Sequence, residues 1–376
     1  MKTDNKLDIK GEKVLIIGNR SYRNMGDELI LLGTIKLLLK QKKQITVSCF
    51  DPEWLKGFYR QFIDVDQITF IKEIPKGFRS FLKYRRKKGF KEFHYFAEAD
   101  CIILGGGEIL TEENPRAYSY WILGMFPFFI RKWRETRFKR ISQRELIIMG
   151  GIQIPKRKKN KRLLRLLLKQ SNHNYLRDFQ AVEEVKEFGF PQTSFFMDTS
   201  YFAYPRDKVH SLENTTTTLE IKKNSIKKID SSFLKIIERK EVYSTLSTST
   251  QPYIVINLNR NGEKFLTQIA QEIQEYYRKG YQIFYVPVGK GKRKSYNDLQ
   301  YINKLRTVLE KGVVIHLLDR ERDFETFALV LKGAERVIST RLHLFLIASF
   351  MGVRTKVYPY QRKILKMQEV IKEVMK

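Results

Sequence analysis

The sequence predicts an α/β protein built from two doubly wound, Rossmann-like domains. Short apolar runs of strand length alternate with segments of helical length, and glycines follow three of those runs. The alternation stops at a polar stretch and then resumes. Strands that alternate with helices form mainly parallel sheets, and ligands bind at the carboxyl ends of such strands. Two halves of this kind predict a cleft between them, with a site that draws on both.

Residues 1–205 are predicted to form the N-terminal domain. The apolar run Val14–Ile17 ends at Gly18 and predicts the first strand. Leu29–Leu39 has the length and the apolar spacing of a helix. The other predicted strands of this half are Ile45–Phe50, Ile68–Ile71, Cys101–Leu104 and Leu146–Met149. Because glycines follow the last two strands, we expect glycine loops at that edge of the sheet.

Residues 206–250 predict a polar linker or insertion, and residues 251–376 predict the second domain with a C-terminal helix. In the linker, two stretches rich in Ser and Thr flank a Lys-rich segment of helical character. The predicted strands beyond it are Tyr253–Asn257, Gln282–Val286, Val313–Ile315 and Arg336–Ile338. The predicted helices are Lys264–Arg278, Leu299–Leu309 and Glu325–Lys332.

The composition is that of a globular protein. Of 376 residues, 42% are hydrophobic and 30% are charged, which excludes a fibre or a disordered tail. Cys49 and Cys101 both lie in strand-like runs, so we expect reduced core residues of a cytosolic protein. The longest apolar stretch, Trp121–Ile130, has ten residues, and a bilayer span needs about 20. We therefore expect a soluble, cytoplasmic protein.

The net charge of +30 is unusual, because 71 Lys and Arg face only 41 Asp and Glu. Such a field attracts polyanions, although solvated lysines from a biased proteome would give the same count. Between Arg131 and Lys169 there are 15 basic residues and two Glu, next to the apolar stretch Trp121–Ile130. Aromatic residues beside a cationic cluster are typical of a segment that lies on an anionic membrane. Residues 121–169 therefore predict a peripheral membrane surface, and a core helix with a solvated basic end is the alternative.

Asn24, Gly26 and Asp27 lie between the first predicted strand and the first predicted helix. This position puts backbone N–H groups and a helix N-terminus at the carboxyl edge of the sheet, which suits an anionic or sugar ligand. The alternative is that Asp27 is an N-cap residue.

Gly105, Gly106, Gly107 and Glu108 follow another predicted strand. Glycines there allow the backbone to approach a ligand closely. A tight turn without a ligand is the alternative for this segment.

Arginine and histidine mark two further segments. Arg177 and Asp178 follow a short strand-like run, where an ordinary structural ion pair is one interpretation. Arg341 and His343 begin a very apolar helix-like segment that follows a predicted strand. A guanidinium, an imidazole and a helix N-terminus that converge suit a phosphate or a carboxylate. A core histidine bonded to the backbone is the alternative for His343.

Taken together, these motifs resemble the polysaccharide pyruvyl transferase family. The resemblance covers the chain from about Val14 to Lys363. It is carried by Asn24–Glu28, Ile103–Gly107, Ile148–Ile152 with Pro155, Leu176–Asp178 with Asp198, and Ser339–His343 with Gly352, Tyr360 and Lys363. The resemblance implies two Rossmann domains facing a cleft, as in GT-B glycosyltransferases. It also implies transfer of pyruvyl from phosphoenolpyruvate to sugar hydroxyls as a ketal, on a cell-surface glycan or its lipid-linked precursor.

By the same resemblance, the donor phosphoenolpyruvate is held across the cleft by residues of both domains. The implied donor-binding residues are Arg177, Arg341, Leu342, His343 and Lys363. His343 titrates near neutral pH and is the candidate acid or phosphate anchor. We expect His343→Ala and Arg177→Ala to abolish transfer without unfolding the protein.

The acceptor sugar is expected on the side of the first domain. Asp27 is the candidate to orient or deprotonate its hydroxyl, with Glu108 behind it. The residues implied for the acceptor side and its loops are Asn24, Gly26, Gly105, Gly106, Gly107 and Glu108.

Three other functions are compatible with parts of this pattern. A GT-B glycosyltransferase would use a nucleotide-sugar donor on the same fold. A nucleic-acid-binding protein is suggested by charge alone, and no recognised binding module supports it. A non-catalytic family member would serve as an assembly partner. The five histidines are scattered without metal-ligand spacing, so neither a metal nor a cofactor is expected.

Overall fold

The structure is a computed structural model in which the chain folds into two units. The first comprises Met1–Tyr22 and Asp27–Ala203, and the second comprises Arg23–Gly26 and Tyr204–Lys376. The residues described are 7–18, 24–74, 84, 92–112, 118, 122, 124–139, 144–203, 234–236, 251–289, 297–318 and 324–374. Each unit contains its own parallel sheet, which confirms the predicted α/β class.

The first unit is built on a parallel sheet whose described strands number seven. They are β1 (Lys13–Ile17), β2 (Gln44–Cys49), β3 (Ile68–Lys72), β4 (Cys101–Leu110), β5 (Glu145–Ile152), β6 (His173–Leu176) and β7 (Thr193–Phe195). Their order is β3-β2-β1-β4-β5-β6-β7, and all pairs are parallel. The order reverses between β1 and β4, so the expected ligand position is the carboxyl end of these two strands.

Helices cover both faces of this sheet. They are α1 (Met25–Lys40), α2 (Pro52–Tyr59), α3 (Phe93–Glu98), α4 (Phe126–Lys139), α5 (Lys158–Gln170), α6 (Phe179–Glu187) and α7 (Ser200–Ala203), with a 3₁₀ turn at Val65–Gln67. Alternate residues of β1, β4 and β5 form one core cluster with residues of α3, α4, α5 and α6. These four helices therefore lie on the same face of the sheet.

Helix α1 is apolar around most of its circumference. Leu29, Leu31, Leu32, Ile35 and Leu38 are all essentially buried. An all-round apolar helix is stable only when it is enclosed by other elements. The helix begins at Met25, and Oδ1 of the preceding Asn24 accepts a hydrogen bond from the N–H of Gly26 (3.3 Å).

The start of α1 corrects the alternative interpretation of Asp27 as an N-cap residue, because Asn24 is the residue that precedes the helix. Asp27 is the third residue of α1 and not its N-cap. An Asp in the first turn is still favourable, because it lies near the positive end of the helix dipole.

The second unit contains a second parallel sheet, with six described strands. They are β8 (Leu234–Ile236), β9 (Tyr253–Asn257), β10 (Gln282–Tyr285), β11 (Ile315–Leu317), β12 (Arg336–Ser339) and β13 (Thr355–Val357). Their order is β13-β12-β9-β10-β11-β8. The order reverses between β9 and β12, which places the second expected ligand position at their carboxyl ends.

The described helices of this unit are α8 (Leu266–Arg278), α9 (Gln300–Arg306), α10 (Phe324–Lys332), α11 (Leu342–Phe350) and α12 (Arg362–Val374), with a 3₁₀ helix at Arg260–Phe265. Helix α11 is apolar on all sides, like α1, and its residues from Leu344 to Ser349 are buried. The core on one face of the sheet joins residues of β9, β10 and β11 to residues of α8 and α9.

The structure corrects three local predictions. Gly105–Gly107 and Gly150 do not form loops, because β4 and β5 continue through them with a shift of register between Gly105 and Glu108. Residues 234–236, inside the predicted linker, form strand β8 at the sheet edge, where Leu234 and Ile236 alternate with a lysine. The strand predicted at Val313–Ile315 lies two residues later. The Ser- and Thr-rich stretches of the linker lie outside the described residues.

Cys49 and Cys101 are buried thiols in β2 and β4, as predicted. Burial raises the pKa of the Cys101 thiol. In the part of the chain that the structure describes, every helix is too short or too polar to cross a membrane.

Candidate active site

The carboxyl end of β4 in the first unit is shaped by close backbone contacts. A Cβ placed on Gly150 would lie 2.9 Å from the carbonyl oxygen of Gly107, and the φ angle of Gly150 is +123°. Gly107 has a φ of +52°, and its Cβ would lie 3.2 Å from Oδ1 of Asp27. The glycines therefore let the backbones of β4 and β5 meet beside the carboxylate of Asp27. The approach of a ligand to these glycines, which the sequence suggests, stays a prediction.

Arg177 forms a buried ion pair in the same unit. Its Nη1 donates to Oδ2 of Asp198 at 2.7 Å, and the two side chains are 5% and 1% exposed. Oδ1 of Asp198 accepts from the N–H and the hydroxyl of Ser200. The neighbouring Asp178 caps α6 by accepting from the N–H of Ala181 at 2.7 Å. Arg177, Asp198 and Gly107 line one small cavity.

This burial changes the expected behaviour of Arg177→Ala. Removal of one partner of a buried ion pair leaves an uncompensated charge, so the free energy of unfolding should fall by about 3 kcal/mol. The expectation that this variant keeps its stability is therefore revised. Urea denaturation measures the effect, and Lys186→Ala, which breaks the exposed Lys186–Glu183 pair, is the matched control. Equal stability of the two variants would contradict a structural role for the Arg177–Asp198 pair.

In the second unit, the carboxylate of Asp298 organises the carboxyl ends of the strands. Asp298 is fully buried. Its Oδ2 accepts from the N–H groups of Val288 (3.1 Å) and Gly289 (2.9 Å) and from Nδ2 of Asn257 (3.1 Å). It also binds Arg341 through two contacts, Nε to Oδ2 (3.2 Å) and Nη2 to Oδ1 (2.5 Å). One carboxylate thereby connects the ends of β9 and β10 to the residue before α11.

Arg341 is the N-cap residue of α11, and its guanidinium is oriented by Asp298. Burial alone would lower the pKa of Arg341, but the charge of Asp298 and its hydrogen bond outweigh that effect and raise the pKa. Because the bidentate pair uses Nε–H and one N–H of Nη2, three of the five N–H bonds of the guanidinium point to other positions.

The loop before α11 is held by a second polar network. The N–H of Asn259 donates to the hydroxyl of Thr340 at 2.8 Å, and its Nδ2 donates to the hydroxyl of Tyr360 at 3.1 Å. A Cβ on Gly262 would lie 2.4 Å from Cγ2 of Thr340, so only glycine fits there. These contacts fix the segment that delivers Arg341 and His343.

His343 lies in the first turn of α11 and packs against the backbone of Gly26. A Cβ placed on Gly26 would lie 2.0 Å from Nδ1 and 2.3 Å from Cγ of His343. The segment from Asn24 is positioned by a bridge to Gly289 and by a hydrogen bond from the N–H of Met25 to the carbonyl of Val288 (3.2 Å). Gly26 and His343, which sequence reasoning assigned to different substrates, are therefore neighbours.

The remaining predicted residues lie as follows. Leu342 is the first residue of α11 and is buried. Lys363 is the second residue of α12 and is partly exposed. Glu108 lies in β4, opposite Gly151 of β5, and its side chain is outside the described residues. Among the described residues, no group of three or more His, Cys, Asp or Glu is arranged to hold a metal ion.

Sequence reasoning missed Asp298, Asn257 and Asn259. A usable signal was present, because Asn257 ends a buried strand, Asn259 follows it, and polar residues at strand ends indicate a site at the sheet edge. Asp298 had no such signal, because it lies 13 residues beyond the end of β10.

Comparisons with known proteins identify the family of this chain. A family model described as polysaccharide pyruvyl transferase matches residues 24–362. The chain belongs to this family. The region that matches the model of the polysaccharide pyruvyl transferase family includes Asn24, Gly26 and Asp27, the glycines of β4, and the segment from Arg341 to His343. No curated protein sequence matches the chain at a significant level.

Solved structures show that this pyruvyl transferase family member has a GT-B-like fold. UDP-GlcNAc 2-epimerase from Neisseria meningitidis, bound to UDP-GlcNAc, has 11% identity and a TM-score of 0.53, covering 96% of this chain and 90% of that one. Anabaena Alr3699/HepE, in complex with UDP and glucose, has 10% identity and a TM-score of 0.51, covering 97% and 90%. At these identities the likeness concerns the fold alone.

Proposed function

We propose that this protein transfers the pyruvyl group of phosphoenolpyruvate to two hydroxyls of a sugar, as a cyclic ketal on a cell-surface glycan or its lipid-linked precursor. Family membership supports a pyruvyl transferase. The donor assignment rests on one observation: His343 lies in the first turn of α11, two residues after the N-cap residue Arg341. The imidazole, the guanidinium and the helix N-terminus together suit an anionic donor that carries a carboxylate and a phosphate.

In the proposed donor site, the second unit supplies most of the charge. Arg341 is fixed by Asp298, so its remaining N–H bonds keep one orientation for an anion. His343 and Lys363 add cationic side chains, and the backbone of Leu342 adds an N–H of the first helical turn. Arg177 is the proposed cation of the first unit, with its guanidinium oriented by Asp198.

The proposed reaction needs one acid and one base. The methylene carbon C3 of phosphoenolpyruvate gains a proton, which makes C2 electrophilic. A sugar hydroxyl oxygen then bonds to C2 and gives up its proton. The bond from C2 to the phosphate oxygen breaks, and a second hydroxyl closes the ketal. The two hydroxyls lose two protons in total. One of them replaces the proton that the acid gave to the new methyl group, and the other leaves with phosphate.

His343 is the proposed acid, or else the group that stabilises the departing phosphate. Asp27 is the proposed base or orienting group for the sugar hydroxyl. Glu108 is its proposed support.

A donor test distinguishes this proposal from a nucleotide-sugar glycosyltransferase. The purified protein is incubated with a panel of lipid-linked glycans and either phosphoenolpyruvate or a UDP- or GDP-sugar. We expect release of inorganic phosphate that depends on both phosphoenolpyruvate and a glycan, and a glycan mass increase equal to one ketal. Release of nucleoside diphosphate without any reaction of phosphoenolpyruvate would instead establish the glycosyltransferase.

A direct binding measurement addresses the case in which the panel lacks the natural acceptor. Calorimetry should detect phosphoenolpyruvate binding that inorganic phosphate competes with and that Lys363→Ala weakens. A protein that binds neither phosphoenolpyruvate nor a nucleotide sugar would fit the non-catalytic assembly partner.

A further inference from the structure

The outer surface of α4 is aromatic where a solvent-facing helix is normally polar. Phe126, Trp133 and Phe138 are 58%, 56% and 77% exposed, and they are the three most exposed large hydrophobic residues described in the chain. Phe126 and Trp133 project from the side of the helix opposite Phe128, which is fully buried in the core cluster, and Phe138 lies in the last turn. The core thus uses one side of α4, and its aromatic residues on the other side have no role in packing the sheet.

The outer surface of the neighbouring helix α5 is basic. Six of its 13 residues are Lys or Arg and none is acidic. Arg162, Arg165 and Lys169 lie on its exposed side together with Leu166, which is 46% exposed, whereas Leu164, Leu167 and Leu168 are buried. This helix therefore presents positive charge to solvent with one apolar side chain among the cations.

The two helices form one continuous surface. Both pack on the same face of the first sheet, so their outer sides face the same direction. They touch where Nζ of Lys132 donates to the carbonyl of Gln170 (3.3 Å) and to Oδ1 of Asn172 (2.9 Å). We call this the α4–α5 surface; it consists of Phe126, Trp133, Arg137 and Phe138 of α4 and of Arg162, Leu166 and Lys169 of α5.

The acidic residue of α4 does not neutralise this surface. Glu135 accepts from Nε of Arg144 at 3.0 Å and also lies 3.6 Å from Nε of Arg131. Arg144 is buried, and its Nη1 bonds to the carbonyl of Ala99. Glu135 is therefore balanced by the protein itself, and the outer cations retain their charge toward solvent.

We propose that the α4–α5 surface binds the surface of an anionic lipid bilayer. Exposed aromatic rings match the boundary between lipid headgroups and acyl chains, and the surrounding cations match lipid phosphates. The guanidinium of Arg137 lies 5.2 Å from the ring of Trp133, so this ring has a cation beside it for a headgroup. Leu166 favours lipid over nucleic acid, because an aliphatic side chain has no ring on which a base can stack. This inference does not depend on the proposed reaction.

Vesicle sedimentation of the full chain tests the proposal. The protein should bind vesicles of phosphatidylcholine with phosphatidylglycerol and should not bind phosphatidylcholine alone. Each basic side chain near an anionic surface contributes about a fivefold factor, so Arg162→Glu with Lys169→Glu should weaken binding by about 25-fold or more. Trp133→Ala with Phe138→Ala should weaken it at least about tenfold.

Matched controls lie in the second unit. Leu365→Ala removes a side chain that is 48% exposed, and Lys311→Glu with Lys332→Glu reverses two exposed charges. Both should bind vesicles like the parent. Equal loss in these controls, equal binding to neutral vesicles, or unchanged binding of the α4–α5 variants would overturn the proposal. Tighter binding of a single-stranded oligonucleotide, lost in the same variants, would also overturn it in favour of nucleic acid.

A fluorescence measurement separates insertion of the rings from charge alone. Lipids brominated in the acyl chain should quench Trp133, and Trp133→Phe should lose that quenching while it still binds the vesicles. The measurement uses a Trp121→Phe background, so that Trp133 and the buried Trp54 are the two remaining tryptophans and Trp54 serves as the internal reference. Binding without quenching would show adsorption of the cations only and would refute the insertion of the aromatic residues.

Discussion

Replacement of His343 by alanine is expected to lower kcat for pyruvyl transfer by about 10²–10⁴-fold, the usual contribution of a positioned acid or base. The fold should persist, because His343 is only partly buried and lies at the start of α11, outside the core cluster of its unit. Phosphate release from phosphoenolpyruvate with an active glycan measures the rate, and circular dichroism checks the fold. The pH dependence of the rate should lose the ionisation that belongs to the imidazole.

The control for this experiment is His94→Ala. His94 is about half exposed on α3 and lies 3.9 Å from Glu98, so its loss should leave the rate unchanged. A His343→Ala enzyme with normal kcat and an unaltered pH profile would remove His343 from the mechanism. A raised KM with normal kcat would instead identify it as a binding group for phosphate.

The same prediction can be tested through the residue that positions the imidazole. In Gly26→Ala, the added methyl group would overlap the ring of His343, so the ring must move. A misplacement of about 1 Å at a catalytic group can cost about 10²-fold in rate. Gly57→Ala is the matched control, because a Cβ at Gly57 meets no atom within 4 Å. If Gly26→Ala were as active as Gly57→Ala, the observed contact would have no bearing on catalysis.

Replacement of Asp298 by alanine is expected to give the largest loss of stability. The substitution leaves Arg341 without its buried counter-charge and removes the acceptor of Val288, Gly289 and Asn257. Loss of one partner of a buried ion pair costs about 3–5 kcal/mol, and the orphaned donors add to it. We expect the second unit to lose about 5 kcal/mol of unfolding free energy.

Hydrogen exchange shows where the effect of Asp298→Ala occurs. Amides of β9 and β10 should exchange faster, whereas β1 and β4 of the first unit provide an internal reference. Asp66→Ala, which removes a carboxylate that is 75% exposed beside Lys56, should leave all of these amides unchanged. Unchanged protection of β9 and β10 in Asp298→Ala would show that the carboxylate does not organise the sheet edge.

The fold was largely accessible from sequence because its elements have strong local patterns. The first strand, helix α1, strand β9 and the apolar helix α11 were all predicted close to their observed bounds. Strands and helices that are buried on all faces have continuously apolar sequences, and this pattern can be recognised without knowledge of distant residues. The glycines of β4 and β5 were recognised, but their strand conformation was not, because the bulged pairing depends on the neighbouring strand.

By itself, the sequence determined the α/β class, the two sheets and the motifs that identify the family. Only the tertiary structure decided the partners of the charged groups. Arg177 pairs with Asp198, 21 residues away, and Arg341 pairs with Asp298, 43 residues away. Likewise, Gly26 meets the ring of His343 across more than 300 positions. Strand and helix patterns are local properties of the chain, whereas an ion pair or a steric contact depends on where the folded backbone places two distant side chains.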